Sequence, residues 1–289
     1  MSGQTLHGEG TTVRVVPAIG TPRLIDNVAA QPGLTPNVRL LRTGTRQLAT
    51  AVLFPTGHLP GSGRLPVLMD PYGGPGHQRV LAASGMYLSS QWFADQGYAV
   101  IVADGRGVPG RGPAFERQVH RDLASAALQD QVDALHGAAA AYPDDMDLTR
   151  VAIRGWSFGG HLAALAVLRR PDVFHVAVAG APVTDWRLYD TAYTERFLGH
   201  PDTSPEAYDR SSLLADAPAL TRPLMLIHGL ADDNVVAAHT LRLSSALLAA
   251  GRPHTVLPLT GVTHMANQED VAENLLLLQV EFLARAIGS

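Results

Sequence analysis

The chain has 289 residues, a formal charge of −4, 46% hydrophobic residues and no cysteine, and all 22 of its basic residues are arginine. Without cysteine there is no thiol nucleophile, disulfide or thiolate metal site, and without lysine there is no Schiff base, Ser-Lys dyad or P-loop phosphate site. The weak negative balance, with no basic stripe, argues against a nucleic-acid partner, and no run approaches the ~18 apolar residues of a membrane span.

The first ten residues, MSGQTLHGEG, lack the basic start and apolar run of a signal peptide, so the expectation is a soluble, cytoplasmic protein. Residues 1–60 are expected to form an N-terminal segment and 61–289 the main body. Within the first part, 38–41 and 47–53 alternate like the strands of a hairpin that turns at Thr43-Gly44-Thr45. A Gly/Pro/Ser connector, 58–63, follows. Next come apolar runs at 65–70 and 98–103, the kind of strand covered on both faces, with helical spacing between them at 85–96. A long Ala-rich helix is predicted over 120–141, closed by Pro143. A strand at 151–154 runs into Gly155-Trp156-Ser157-Phe158-Gly159-Gly160, with a helix over 161–170 and a strand over 173–179 behind it. An insertion at 182–220 has no clear periodicity and carries Trp186, Tyr189 and Tyr193. The alternation then resumes with strands at 223–228 and 254–257, a helix at 237–250 and a closing helix at 268–287. Strands alternating with helices imply a mostly parallel, doubly wound sheet with helices on both faces.

The sharpest chemical signal is Gly155-x-Ser157-x-Gly159. Such a pattern arises by chance in about one chain in ten of this composition, so its context must carry it. An apolar strand precedes it and a helix follows, as a nucleophile elbow requires. A serine alone attacks poorly and needs a base and an acid that orients the base. In the α/β-hydrolase fold these follow in the order Ser, Asp, His, each on a loop after a strand. The strand at 224–228 leads into Asp232-Asp233-Asn234, and that at 255–258 leads to His264. Spacing does not separate Asp232 from Asp233, and either could simply cap the helix that follows. His228 precedes the acid and closes its own strand, so the order excludes it.

Together these residues resemble the catalytic domain of the prolyl oligopeptidase family of serine peptidases, nearest its dipeptidyl peptidase IV branch. The similarity runs from about residue 64 onward through four motifs: Asp70-Pro-Tyr72-Gly-Gly-Pro75, the elbow, Pro182-Val183-x-x-Trp186-x-x-Tyr189-Asp190-x-x-Tyr193, and His228-Gly-x-Ala-Asp232-Asp-Asn234-Val235. The resemblance implies a triad of Ser157, Asp232 and His264. It implies an oxyanion hole from the Tyr72 hydroxyl and the Phe158 backbone N–H. Val183, Trp186, Tyr189, Tyr193 and Val235 would line a small apolar pocket for proline or alanine, and Asn234 would bind a substrate carbonyl. On residue type alone the three aromatics could equally be core, and Tyr72 an ordinary turn residue. Asp104-Gly-Arg-Gly107 also resembles a family loop and reads as structural. Met265 departs from the family, which usually has glycine after its histidine.

The family's propeller, which filters substrates and grips a peptide's amino terminus, has no counterpart in these 289 residues. The first 50 or so look like a propeller remnant with a connecting hairpin. The expected activity is therefore acyl-serine hydrolysis of a peptide or ester substrate: a peptidase by resemblance, or an esterase acting on short-chain or polymeric esters. An inactive hydrolase fold used for binding is the third reading. No metal or cofactor is expected.

Overall fold

Continuous apolar runs form the central strands because both of their faces are covered. The computed structural model describes residues 4–6, 13–26, 28 and 32–288, so part of the expected 1–60 segment lies outside the described residues. The strands are β1 (Gln4–Leu6), β2 (Val13–Val15), β3 (Arg23–Ile25), β4 (Val38–Thr43), β5 (Leu48–Leu53), β6 (Leu65–Met69), β7 (Ala99–Asp104), β8 (Met146–Trp156), β9 (Val176–Gly180), β10 (Leu224–Gly229) and β11 (Thr255–Leu259). Nine of them form one sheet in the order β1-β4-β5-β7-β6-β8-β9-β10-β11, and β2 and β3 make a separate ribbon. From β7 to β11 the pairing is parallel, whereas β5 joins β7, β4 joins β5 and β1 joins β4 antiparallel. The 38–53 hairpin thus extends the main sheet. Gln47 and Gly44 take the left-handed backbone of its turn.

The helices are α1 (Leu88–Ala94), α2 (Pro113–Glu116), α3 (Ser125–Ala141), α4 (Phe158–Arg169), α5 (Thr191–Leu198), α6 (Pro205–Ser211), α7 (Ala238–Ala249) and α8 (Glu269–Ile287). Because side chains alternate along a strand, Val67 and Met69 join one core with Leu128, Leu162 and Leu243 of α3, α4 and α7. Leu68, Val100 and Val178 face the other way, onto Phe93 of α1 and Leu275 and Leu283 of α8. This is the doubly wound α/β-hydrolase architecture. None of the helices in the described residues is long and apolar enough to cross a membrane.

The strand expected at 151–154 extends over Met146–Trp156, and three other differences from the sequence reading have a local reason. The helix expected from residue 120 begins at Ser125, because Arg121 is left-handed and Asp122 accepts from the backbone N–H groups of Ala124 and Ser125. The helix expected from 161 begins at Phe158, directly after the serine. The insertion is largely helical, and two of its short pieces are started by side-chain caps, Asp185 on Arg187 N–H and Asp190 on Tyr193 N–H. Pieces of seven or eight residues are too short to show a periodic stripe. Asp104-Gly-Arg-Gly107 is structural as read: Arg106 grips the buried Asp130 with both Nε and Nη2.

Candidate active site

In a parallel sheet, loops leaving the carboxyl ends of adjacent strands gather on one edge, where α/β proteins place their ligands. The loops after β6, β8, β10 and β11 carry Tyr72, Ser157, Asp232 and His264.

Ser157 sits between β8 and α4 with φ 59° and ψ −118°, a strained conformation for a residue with a side chain. The surrounding glycines make that turn possible by their lack of bulk. A Cβ on Gly155 would lie 2.3 Å from the Gly159 carbonyl, one on Gly159 would lie 2.5 Å from the Pro71 oxygen, and one on Gly160 would lie 2.3 Å from the Gly180 oxygen. The Ser157 N–H donates to Gly180 O at 2.9 Å, pinning the elbow to the next strand.

Asp232 is buried. Its Oδ1 accepts from the backbone N–H groups of Asn234 (3.0 Å) and Val235 (2.9 Å), and its Oδ2 faces His264 Nδ1 at 2.8 Å. Asp233 is exposed, pointing away from this arrangement. The structure thereby separates two neighbours that spacing could not. His228 lies behind the acid loop. Burial lowers its pKa and keeps it neutral, with Nε2 on Val235 O and Nδ1 on the Thr240 hydroxyl, both at 2.7 Å. Both of its nitrogens are engaged, so it buttresses the loop. The other engaged ring is Trp156, whose indole N–H donates to the His264 carbonyl at 2.6 Å.

Tyr72 lies over the elbow, its ring 6.0 Å from that of Phe158 and 4.8 Å from that of His77. Burial, then the neighbouring Tyr189, raise its pKa, so its hydroxyl keeps its proton at neutral pH and can donate. Phe158 opens α4, and the first N–H groups of a helix have no partner within it. Its side chain is buried against Trp186, 5.7 Å between ring centroids.

A cleft of about 470 Å³ opens here, lined by Tyr72, Ser157, His264, Tyr189 and Asn234, together with Asp70, His77, Arg79, Ser89, Arg154, Trp156 and Met265. Of the six residues expected around the substrate, Tyr189 and Asn234 reach this cleft and are joined by a 3.3 Å hydrogen bond. Tyr193 stacks on Trp186 at 5.9 Å and meets Tyr189 edge-on at 5.5 Å. Its buried hydroxyl has no hydrogen-bond partner, and burial raises its pKa. Val183, Trp186 and Val235 are buried in the core beneath, where they back the aromatic wall. The loop that presents this wall is held by two neutral histidines: His161 Nδ1 donates to Val183 O at 2.8 Å, and His239 Nδ1 accepts from Thr184 N–H at 3.1 Å. Burial pushes both imidazoles down to about 4. A larger cavity, about 620 Å³ among Arg222, Arg252, His254 and Phe282, lies at the opposite ends of β10 and β11, away from the serine.

Sequence reasoning missed Arg79, Arg154, His161 and His239. None sits in a motif, and the contacts of Arg154 with Asp70, His161 with Val183 and His239 with Thr184 span 84, 22 and 55 residues of chain.

The model of the prolyl oligopeptidase family matches residues 85–289. Dipeptidyl peptidase 8 of Mus musculus and that of Homo sapiens are each 35% identical to this chain over 272 residues, covering 92% of it and 30% of their own length. The solved structure of Porphyromonas gingivalis dipeptidyl peptidase 4 superposes with a TM-score of 0.80 at 30% identity, covering 87% of this chain and 35% of that one. The chain therefore spans about a third of the length of these relatives.

Proposed function

The chain belongs to the prolyl oligopeptidase family, and on that footing we propose that it is a serine hydrolase whose triad is Ser157, His264 and Asp232. Ser157 Oγ attacks a substrate carbonyl while His264 Nε2 takes its proton, and Asp232 holds the imidazole with its other proton on Nδ1. The negative charge that develops on the carbonyl oxygen is met by the Tyr72 hydroxyl and the Phe158 N–H. His264 returns the proton to the leaving amine or alkoxide, and water then releases the acyl group by the same steps. The observation that carries this reading is the 2.8 Å contact of His264 Nδ1 with Asp232 Oδ2 in the cleft that the strained Ser157 also lines. Tyr189, backed edge-on by Tyr193, favours a small apolar group on the acyl side, and Asn234 beside it would bind a substrate carbonyl. Ser157→Ala is expected to remove turnover and fluorophosphonate labelling while leaving the melting temperature near that of the parent. Turnover by the alanine variant close to the parent's would end the assignment.

Family membership favours a peptidase, and one feature of the cleft favours ester substrates for these 289 residues. Asp70 is the single carboxylate among the described cleft-lining residues, and Arg154 and Arg79 already engage it. Among the described residues no free acid lines the cleft to hold the ammonium of a peptide's amino terminus. Amide cleavage depends on such remote binding energy more than cleavage of an ester with a good leaving group does. The expected order of kcat/KM is therefore p-nitrophenyl acetate and butyrate above Gly-Pro and Ala-Ala p-nitroanilides, with dodecanoate poor. Gly-Pro p-nitroanilide outpacing p-nitrophenyl butyrate would overturn the ester reading and leave the peptidase one.

A further inference from the structure

Two side chains on the nucleophile's own strand reach the two loops that must meet the nucleophile. Arg154 and Trp156 are two residues apart at the end of β8, so they project from the same face of the sheet, the face that carries α1 and α8. Arg154 donates through Nη1 to Asp70 Oδ1 at 2.8 Å and through Nε to Gln279 Oε1 at 3.1 Å, with its guanidinium 4.3 Å from the centre of the Phe93 ring. Asp70 is buried and also accepts from Ser90 Oγ at 2.7 Å. It stands two residues before Tyr72, and the intervening Pro71, with its fixed φ, makes that link short and stiff. Trp156 donates from its indole N–H to the backbone oxygen of His264 at 2.6 Å. Its ring rests on the backbone of β9, where a Cβ on Gly180 would fall 2.0 Å from it.

Resting on the function proposed above, we propose that Arg154 and Trp156 are positioning residues for the hydrolysis. Arg154 sets the place of the Tyr72 hydroxyl through Asp70, and Trp156 sets the place of the imidazole through the His264 carbonyl. The strand that raises Ser157 thereby also fixes its oxyanion donor and its base, each by one arm. The alternative is that both contacts are structural cement, which would alter stability and leave the turnover of folded molecules as it was.

A mutant cycle on a p-nitrophenyl ester separates the two. Arg154→Gln and Trp156→Phe are each expected to lower kcat about tenfold with KM within about twofold, since misplacing a reacting group costs turnover more than binding. Phenylalanine keeps an aromatic ring but removes the five-membered ring together with its N–H, so a thermal melt run beside the kinetics separates lost packing from the lost hydrogen bond. In a Tyr72→Phe background the loss from Arg154→Gln should vanish, because its route ends at the missing hydroxyl, whereas the loss from Trp156→Phe should persist in full. If Arg154→Gln does not fold, Arg154→Lys, which keeps the charge beside Asp70 and loses the guanidinium fork, is read in the same cycle. Losses from the Arg154 variant that multiply unchanged with Tyr72→Phe would overturn its arm, and a Trp156→Phe enzyme with parental kcat would overturn the other. If Tyr72→Phe is itself silent, the oxyanion role of Tyr72 falls and the Arg154 arm with it, while Trp156 is still judged by its own kcat.

Discussion

Replacing Asp232 by asparagine tests the acid at the level of single atoms. Oδ1 of Asp232 is committed to two backbone N–H groups, at 3.0 and 2.9 Å, and Oδ2 to His264 Nδ1 at 2.8 Å. The oxygen of an asparagine amide would keep the two backbone bonds and turn its NH2 toward His264. The imidazole must then accept at Nδ1 and carry its proton on Nε2, the tautomer that cannot take a proton from Ser157. Turning the amide over restores the tautomer but faces its NH2 to the Asn234 and Val235 N–H groups, leaving two donors unpaired at about 1–3 kcal/mol each. A cost of about 2–6 kcal/mol corresponds to a fall in kcat of roughly 10–10⁴-fold. The assay is steady-state turnover of p-nitrophenyl butyrate at pH 8, run beside a thermal melt that should move little for so isosteric a change. Fluorophosphonate labelling of Ser157 should slow in parallel. Asp233 is exposed, and Asp233→Asn should leave kcat within a factor of about two. An Asp232→Asn enzyme less than about tenfold impaired, or an Asp233→Asn enzyme the worse of the two, would refute the reasoning.

Tyr72→Phe should lower kcat by roughly 10²–10³ with a modest change in KM, as loss of one oxyanion donor does; a change confined to KM would make Tyr72 a packing residue. Gly159→Ala places a methyl 2.5 Å from the Pro71 oxygen, so the elbow and the tyrosine loop must separate. Its kcat should fall more than its melting temperature suggests, and a fully active alanine variant would show that the close approach is dispensable. His161 and His239 are held down to about 4 in the folded protein, whereas an unfolded chain protonates them near 6.5. Between those values the unfolded state binds more protons, so stability is present above about pH 6.5 and falls toward pH 4, by about 3 kcal/mol for each histidine at the lower end. Urea midpoints measured between pH 7 and 4.5 check this, and a flat profile would contradict it.

The sequence by itself determined the order and type of most elements and the identity of the residues that could do chemistry. That information is local. Uninterrupted apolar runs such as 224–227 mark strands covered twice, and Gly155-x-Ser157-x-Gly159 between a strand and a helix marks a turn that only small residues permit. It did not show where α3 begins, because the left-handed Arg121 leaves no trace in a periodicity, nor the helices of the insertion, whose pieces of seven and eight residues are too short for a periodic stripe. Asp232 could not be told from Asp233 by spacing, since one turn of the loop after β10 buries one carboxylate and exposes the other. The resemblance names Val183, Trp186 and Val235 as pocket residues, and only the structure shows that all three are buried in the core against which Tyr189 and Tyr193 pack. The contacts of Arg154 with Asp70 and of Trp156 with His264 join residues 84 and 108 apart in the chain. Only the parallel stacking of β6, β8 and β11 in one sheet brings their ends to the same edge, and an interaction between sites that distant in sequence exists only once that sheet has closed.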